Sequence, residues 1–357
     1  MKMILQGARR NRAHTIVVGL LAVIGAVLVP SATAALAAGP VAPASDPFYS
    51  SPANLASDAP GTILRSREVT VSGPEQADSS AAYQLLFRTT NATGHPVAAV
   101  TTVFLPRVPG AGPRRLASYQ TAYDSAAEHF ARAALDGTAT EVTLNGYSGG
   151  SEATTWAAAL APGYAPELRI VGVAAGGNFP NLDYTLSKFD GSLWYGTEIG
   201  VMESFSRAYP QFDLKTLLNA AGQALAVQDG QDASGCAGST TNEPLGQASQ
   251  YTNFPSSEAL AADPLVTSVL AKMSLQDAPL PTAPLFLYNA IGDELAHIQP
   301  VDTLVARYCA KGVTVDYDRD PVGSEHVVAL TRYWPPALQY LKDRFAGDPA
   351  PTTCTPT

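Results

Sequence analysis

Apolar runs and amphipathic stretches alternate along this chain in two blocks, and between the blocks the alternation stops. In the first block, Thr62 to Val71 alternates as a strand does. Tyr83 to Thr89 and Val97 to Leu105 read as two further strands. The turn signal Thr90-Asn91-Ala92-Thr93-Gly94-His95-Pro96 between them predicts an antiparallel hairpin. Pro106 to Pro113 is a Pro/Gly loop, and Arg115 to Gln120 is a short strand. Ser125 to Leu135 carries a helical apolar face and ends at Asp136-Gly137. Val142 to Tyr147 and Leu168 to Ala174 are buried strands. From Phe179 to Ala278 the pattern changes to helix-like pieces, such as Leu214 to Val227 and Ser256 to Met273, separated by Gly/Ser/Asp loops. Alternation resumes with strand Pro284 to Ala290, helix Pro300 to Lys311, strand Val313 to Tyr317 and helix Val327 to Phe345. Such alternation predicts an α/β fold, a mostly parallel sheet with helices on both faces. The interruption reads as an inserted helical cap.

The N-terminus has its own pattern. Lys2, Arg9, Arg10 and Arg12 precede an apolar run from Thr15 to Val29 and small-residue sites at Ala32-Thr33-Ala34 and Ala35-Leu36-Ala37. This layout predicts a secretory signal peptide, with an uncleaved N-terminal anchor as the alternative. The expected division is a signal peptide at 1–34, an irregular arm at 35–60 and a first core part at 61–178. A cap or lid insertion at 179–281, a second core part at 282–346 and a tail at 347–357 follow.

Charge then narrows the partners. Removing residues 1–34 takes away four positive charges and no negative ones, moving the formal net charge from −9 to −13. An acidic exported chain is poorly suited to nucleic acid. The three cysteines, Cys236, Cys309 and Cys354, form no C-x-x-C and no His/Cys cluster, so no metal site is expected. After export a disulfide can persist, and an odd count leaves one thiol over.

The chemistry concentrates at Val142-Thr143-Leu144-Asn145-Gly146-Tyr147-Ser148-Gly149-Gly150. A buried strand runs into a Gly-flanked serine, and a small-residue helix start follows. Strand, G-x-S-x-G and helix together make the nucleophile elbow of α/β-hydrolases. Gly146, Tyr147 and Gly150 frame the serine, and the glycines spare a strained turn from Cβ crowding. In this fold the acid and the histidine follow the serine in that order. Asp293 lies just past the strand Leu285 to Ala290, and His326 lies after the strand Val313 to Tyr317. Both therefore fall at the sheet edge where open α/β sheets place their sites. His326 would be the general base for Ser148, and Asp293 would orient its imidazole. His297 is the rival base and reads as a surface or cap-contact residue. Glu294 and Glu325 are the rival acids and read as solvated or supporting groups. The oxyanion donors would be the backbone N–H groups of Gly149 and Asp124.

On these residues the chain resembles the secretory lipase family. The arm Asp46-Pro47-Phe48-Tyr49 with Pro52 is similar to the family's opening, and Ser118-Tyr119-Gln120-Thr121 with Tyr123-Asp124-Ser125 to its oxyanion strand and loop. Gly146-Tyr147-Ser148-Gly149-Gly150 and Tyr164-Ala165-Pro166-Glu167-Leu168 resemble its elbow region. Asp293-Glu294, Gln299-Pro300 and Glu325-His326 resemble its acid and histidine loops. The resemblance implies a secreted lipase or esterase with a Ser-Asp-His triad and no cofactor. The implied partners are a lipid or other ester substrate and a transient lipid surface. A disulfide between Cys309 and Cys354 is implied in the same way. The chain departs from the family between the oxyanion loop and the elbow, where only residues 126–141 stand in place of a further strand, its loop and a helix. The sheet would then lack the strand beside the oxyanion strand, on the side away from the elbow strand. Cys236 resembles a cap cysteine whose partner lies in that segment. The alternatives to an active hydrolase are a catalytically impaired deletion variant and a cell-envelope binding protein of the same fold.

Overall fold

The computed structural model describes residues 45–70, 79–108, 115–121, 141–231, 245–322 and 325–354. The expected Ser125–Leu135 helix, Asp124 and Cys236 lie outside them. Strands β1 (Ile63–Val69), β2 (Ser79–Thr90) and β3 (Pro96–Pro106) form an antiparallel sheet in that order. The β2–β3 hairpin closes where the turn signal predicts. The Asn91 side chain accepts from the backbone N–H of Thr93 and His95, and Gly94 supplies a positive φ of 84°. Arg67 on β1 pins the N-terminal arm, pairing with Asp46 at 2.6 Å.

A second sheet is parallel throughout and carries the order β4 (Arg115–Gln120), β5 (Glu141–Tyr147), β6 (Ile170–Gly176), β7 (Leu285–Ala290) and β8 (Val315–Asp320). Its inner strands are buried on both faces, as their near-continuous apolar runs require; β7 is buried along its whole length. On one face pack α1 (Gly149–Tyr164) and α9 (Ile298–Ala310), where Ala158, Leu304 and Tyr308 meet Val173 and Leu285. On the other packs α10 (His326–Ala346), whose Ala329, Tyr333 and Ala337 meet Phe286 and Tyr288. β4 is half-exposed along its length. Among the described residues no strand pairs with its outer side, so it is the sheet edge. β8 begins two residues later than the sequence suggests and runs on to Asp320. Its alternation of Asp316, Asp318 and Asp320 disguises the end of an edge strand.

Cys309 at the end of α9 is bonded to Cys354 in the tail, with a Cα–Cα distance of 5.3 Å. Bridging 45 residues restricts the unfolded chain by about 4 kcal/mol in the loop-entropy account. The tail then follows β8, with the Thr353 N–H donating to the Val315 carbonyl.

Between β6 and β7 the chain forms α2 (Leu182–Leu186), α3 (Tyr195–Ala208), α4 (Leu214–Leu217), α5 (Ala220–Gln231), α6 (Ala248–Tyr251), α7 (Ser257–Ala261) and α8 (Pro264–Leu270). The two long helix-like stretches are thus broken. Leu218 is extended and bridges Thr252, and the Asn219 side chain accepts from the N–H groups of Ala221 and Gly222 to start a new helix. Asp263 caps α8 with Pro264 at its first position, which ends α7. These helices share their own core, built on Ile199, Met202, Leu217, Leu260 and Val269.

One polar cluster lies inside that core. The Asp190 carboxylate accepts from the backbone N–H groups of Ala248 and Ser257. Ser257 Oγ lies 3.0 Å from Asp190 and 2.6 Å from Glu198. A hydroxyl has one proton and cannot donate to both carboxylates. The second contact therefore needs a proton on a carboxyl, and buried Glu198 is the one that holds it. Burial pushes Glu198 up to about 8, and the charge of Asp190 adds to this.

This raised value makes stability pH-dependent with a defined sign. Between the ordinary value of 4.5 and about 8 the folded chain keeps a proton that the unfolded chain has released. Stability should then fall as pH rises through that window, by up to about 1.4 kcal/mol per pH unit. Urea melts from pH 5 to 8 should show a shallower fall for Glu198→Gln than for the wild type. Equal slopes would show that Glu198 does not titrate there.

Candidate active site

The site is built from three strand ends. β5 runs directly into Ser148, which holds φ 57° and ψ −131° and caps α1. A positive φ is rare for a residue with a Cβ, and here the strand and helix on either side impose it. The turn is feasible only because its neighbours are small. A Cβ on Gly146 would strike the Gly150 carbonyl and Thr154 Oγ1, and one on Gly150 would strike the Gln120 carbonyl of β4. The elbow and the end of β4 are therefore in backbone contact. The Thr154 hydroxyl reinforces that contact by donating to the Gln120 side chain at 2.8 Å.

The structure brings Ser148, Asp293 and His326 together. Ser148 Oγ lies 2.7 Å from His326 Nε2, and His326 Nδ1 lies 2.8 Å from Asp293 Oδ2. The other Asp293 oxygen accepts from the backbone N–H groups of Leu295 at 3.0 Å and Ala296 at 2.6 Å. Asp293 is thus held as an acceptor on both oxygens. All three residues are buried. His326 is the first residue of α10, so the last helix begins at the site. Tyr147 donates its hydroxyl to the His326 carbonyl at 2.6 Å, and its ring lies 5.1 Å from the imidazole. Burial, and then the nearby Asp293 carboxylate, hold that phenol well above its ordinary value.

Gly149 stands at the first helical position, where its N–H has no intrahelical acceptor. It points the same helix start at whatever lies on Ser148. Asp124 falls outside the described residues. His297 does not join the group. Its Nδ1 meets the Leu295 carbonyl, and its ring stacks edge-on with Tyr184 of α2. Glu325 caps α10 by accepting from Val327 and Val328. Of the two roles expected for Glu294, solvated or supporting, the structure shows the supporting one. One oxygen accepts from the His326 N–H at 3.0 Å, and the other from the Trp194 indole at 2.9 Å.

The residues that sequence reasoning missed are supports. The Asn178 N–H donates to Asn289 of β7, and the Asn289 amide donates to the Ala296 carbonyl. That network fixes the loop carrying Asp293. Gly177, with φ 60°, lies where a Cβ would meet His326 and Tyr147. Trp194, Phe179 and Tyr147 face the imidazole on three sides. Only the Gly176-Gly177 pair left a sequence signal, as a close-approach position after a strand.

Parallel sheet, strand-to-helix serine turn, and acid and histidine after later strands define an α/β-hydrolase. The secretory lipase family model matches residues 116–353. The chain belongs to the secretory lipase family. It is 27% identical to "Lipase A" of Moesziomyces aphidis, covering 92% of this chain and 88% of that protein. That comparison runs over 408 positions, more than the 357 residues present here, so the relative carries segments this chain lacks. It is 30% identical to "Probable inactive lipase MT1628" of Mycobacterium tuberculosis (strain CDC 1551 / Oshkosh), covering 87% and 84%. Among solved structures it resembles Candida antarctica lipase A in its closed state, with a TM-score of 0.78, 26% identity and coverage of 89% and 90%.

The elbow geometry yields a contrast between two glycines of α1. A methyl at Gly150 meets the backbone of β4, whereas one at Gly163 meets open space. Gly150→Ala should cost about 1–3 kcal/mol through overpacking. Gly163→Ala should be neutral or stabilising by up to about 1 kcal/mol. Urea denaturation of both variants reads the difference; equal midpoints would mean the elbow does not press on β4.

Proposed function

We propose that this chain is an exported serine hydrolase that cleaves carboxylic esters of lipids through an acyl-enzyme. The observation that carries this is the continuous contact from Ser148 Oγ through the His326 imidazole to Asp293. In this reading His326 takes the Ser148 proton as the hydroxyl attacks the ester carbonyl. It then returns the proton to the departing alcohol. Water, deprotonated by the same histidine, releases the acid. Asp293 holds the imidazole with its Nδ1 proton inward and stabilises the imidazolium. The Gly149 N–H is one oxyanion donor, and Asp124 is the expected second. No metal or cofactor enters the scheme.

The leader at 1–34 and the family support export. We read residues 179–281 as a cap over this site, because Trp194 and Phe179 reach His326 from it. Lipid esters are favoured over polar ones by the apolar side chains on this edge of the molecule. Leu193, Ile291, Val322, Val327 and Val328 are all exposed. They suit a transient contact with a lipid surface. A catalytically impaired enzyme is the second reading. The edge position of β4 and the relative named a probable inactive lipase favour it.

Mature protein assayed on p-nitrophenyl esters should exceed Ser148→Ala by about 10⁴-fold or more. A fluorophosphonate should label the wild type and not the variant. Equal hydrolysis by the two proteins would sink the serine mechanism. Labelling without turnover would favour the impaired reading. For the lipid preference, Val327→Asp/Val328→Asp should lower hydrolysis of an emulsified triacylglycerol several-fold and leave a soluble short-chain ester within about twofold. Parallel losses on both substrates would remove the surface contact from the scheme.

A further inference from the structure

We infer that Glu294 is a positioning residue for His326, and that the cap segment takes part in it through Trp194. This rests on the proposed role of His326 as the base and goes beyond it. Asp293 governs the side chain of the histidine. Glu294, the next residue, governs its main chain: Glu294 Oε2 accepts from the His326 N–H at 3.0 Å. That N–H belongs to the first turn of α10 and has no intrahelical acceptor. A carboxylate also complements the positive end of the helix. The second oxygen, Oε1, accepts from the Trp194 indole at 2.9 Å. With an acceptor role on each oxygen, the side chain sits here as a carboxylate. Trp194 closes the circuit, because its ring also meets the imidazole edge-on at 6.1 Å. A single carboxylate thus joins the acid loop, the start of α10 and the start of α3.

The chemical consequence is a negative charge beside a group that becomes positive during acylation. Two adjacent carboxylates, Asp293 and Glu294, then favour the imidazolium. Among the described residues, the other titratable groups about His326 are Tyr147 on β5, whose hydroxyl donates to the His326 carbonyl, and Glu325 in the preceding position, which caps Val327 and Val328. None of these bonds to the His326 main-chain N–H. Glu294→Gln keeps the shape and removes the charge. Its amide can accept from the His326 N–H but then turns its NH₂ toward the indole N–H, a donor facing a donor. Trp194→Phe removes that conflict and keeps a ring over the imidazole.

The test reads the imidazole directly, without turnover. In a Ser148→Ala background, the His326 ring is titrated by NMR with Glu294 present, with Glu294→Gln, and with Glu294→Gln/Trp194→Phe. The His326 titration midpoint should fall in both Gln variants relative to the protein with Glu294. The double variant should regain the thermal midpoint lost by Glu294→Gln alone, since the donor conflict is gone. With Ser148 restored, the acid limb of kcat/KM against pH should move down by the same amount. An unchanged His326 titration in a folded Glu294→Gln protein would overturn the inference. If the wild type neither turns over esters nor labels with fluorophosphonate, the serine mechanism fails, while the titration still decides the role of Glu294.

Discussion

Everything at this site depends on holding one imidazole in one place, and the fold does so by giving His326 no free direction. Its Nδ1 meets Asp293, its Nε2 meets Ser148, its N–H meets Glu294 and its carbonyl meets the Tyr147 hydroxyl. These partners come from the end of β5 and from the loop after β7. The sheet order therefore fixes the chemistry. If β5 shifted along β6, Ser148 and Tyr147 would move together away from α10. The full burial of β7 makes such a shift costly, since β6 and β7 share one apolar layer beneath α10.

The inserted helices obey a different economy. Their core is apolar and takes in Leu295 and Ala296 of the acid loop, yet they keep a carboxyl pair on Ser257 and send Trp194 toward the site. Asp190 is satisfied by main-chain donors and can stay charged. Glu198 has no cation among its partners and stays neutral instead. The segment is tied to the rest of the chain both around His326 and away from it, where the Trp156 indole donates to the Met273 carbonyl and the Arg307 guanidinium to the Ala278 carbonyl.

Much of this was legible in the sequence, and the reason is local. β5 and β7 are short apolar runs that end in Gly-Tyr-Ser and Gly-Asp, so both the strands and their functional ends stand together. The hairpin between β2 and β3 is set by Asn91 and Gly94, within its own turn. What was not legible is non-local. Glu294 could be read only as solvated or supporting, because the partners that decide between the two are 32 and 100 residues away. The stretch Leu214 to Val227 looked like one helix because the break at Leu218 is made by a bridge to distant Thr252. The Asp263-Pro264 break, by contrast, was written in the sequence as a cap followed by a first-position proline and was read through.

Among the described residues, the chain before β5 meets the elbow through β4. β4 ends at Gln120, whose carbonyl lies against Gly150 and whose side chain accepts from Thr154. These contacts are made from the elbow side, and they do not need a strand on the outer edge of β4. The parallel pairing of Arg115–Gln120 with Glu141–Gly146 likewise runs the full length of β4. Among the described residues, the serine turn and its partners His326 and Asp293 are held together without a strand there. In the impaired-enzyme reading, a missing strand would cost the sheet main-chain hydrogen bonds beside the oxyanion strand. Loss of activity from that cause would appear as weaker stabilisation of the oxyanion and not as a displaced nucleophile, because Ser148 is anchored by β5, β6 and α1 on the opposite side.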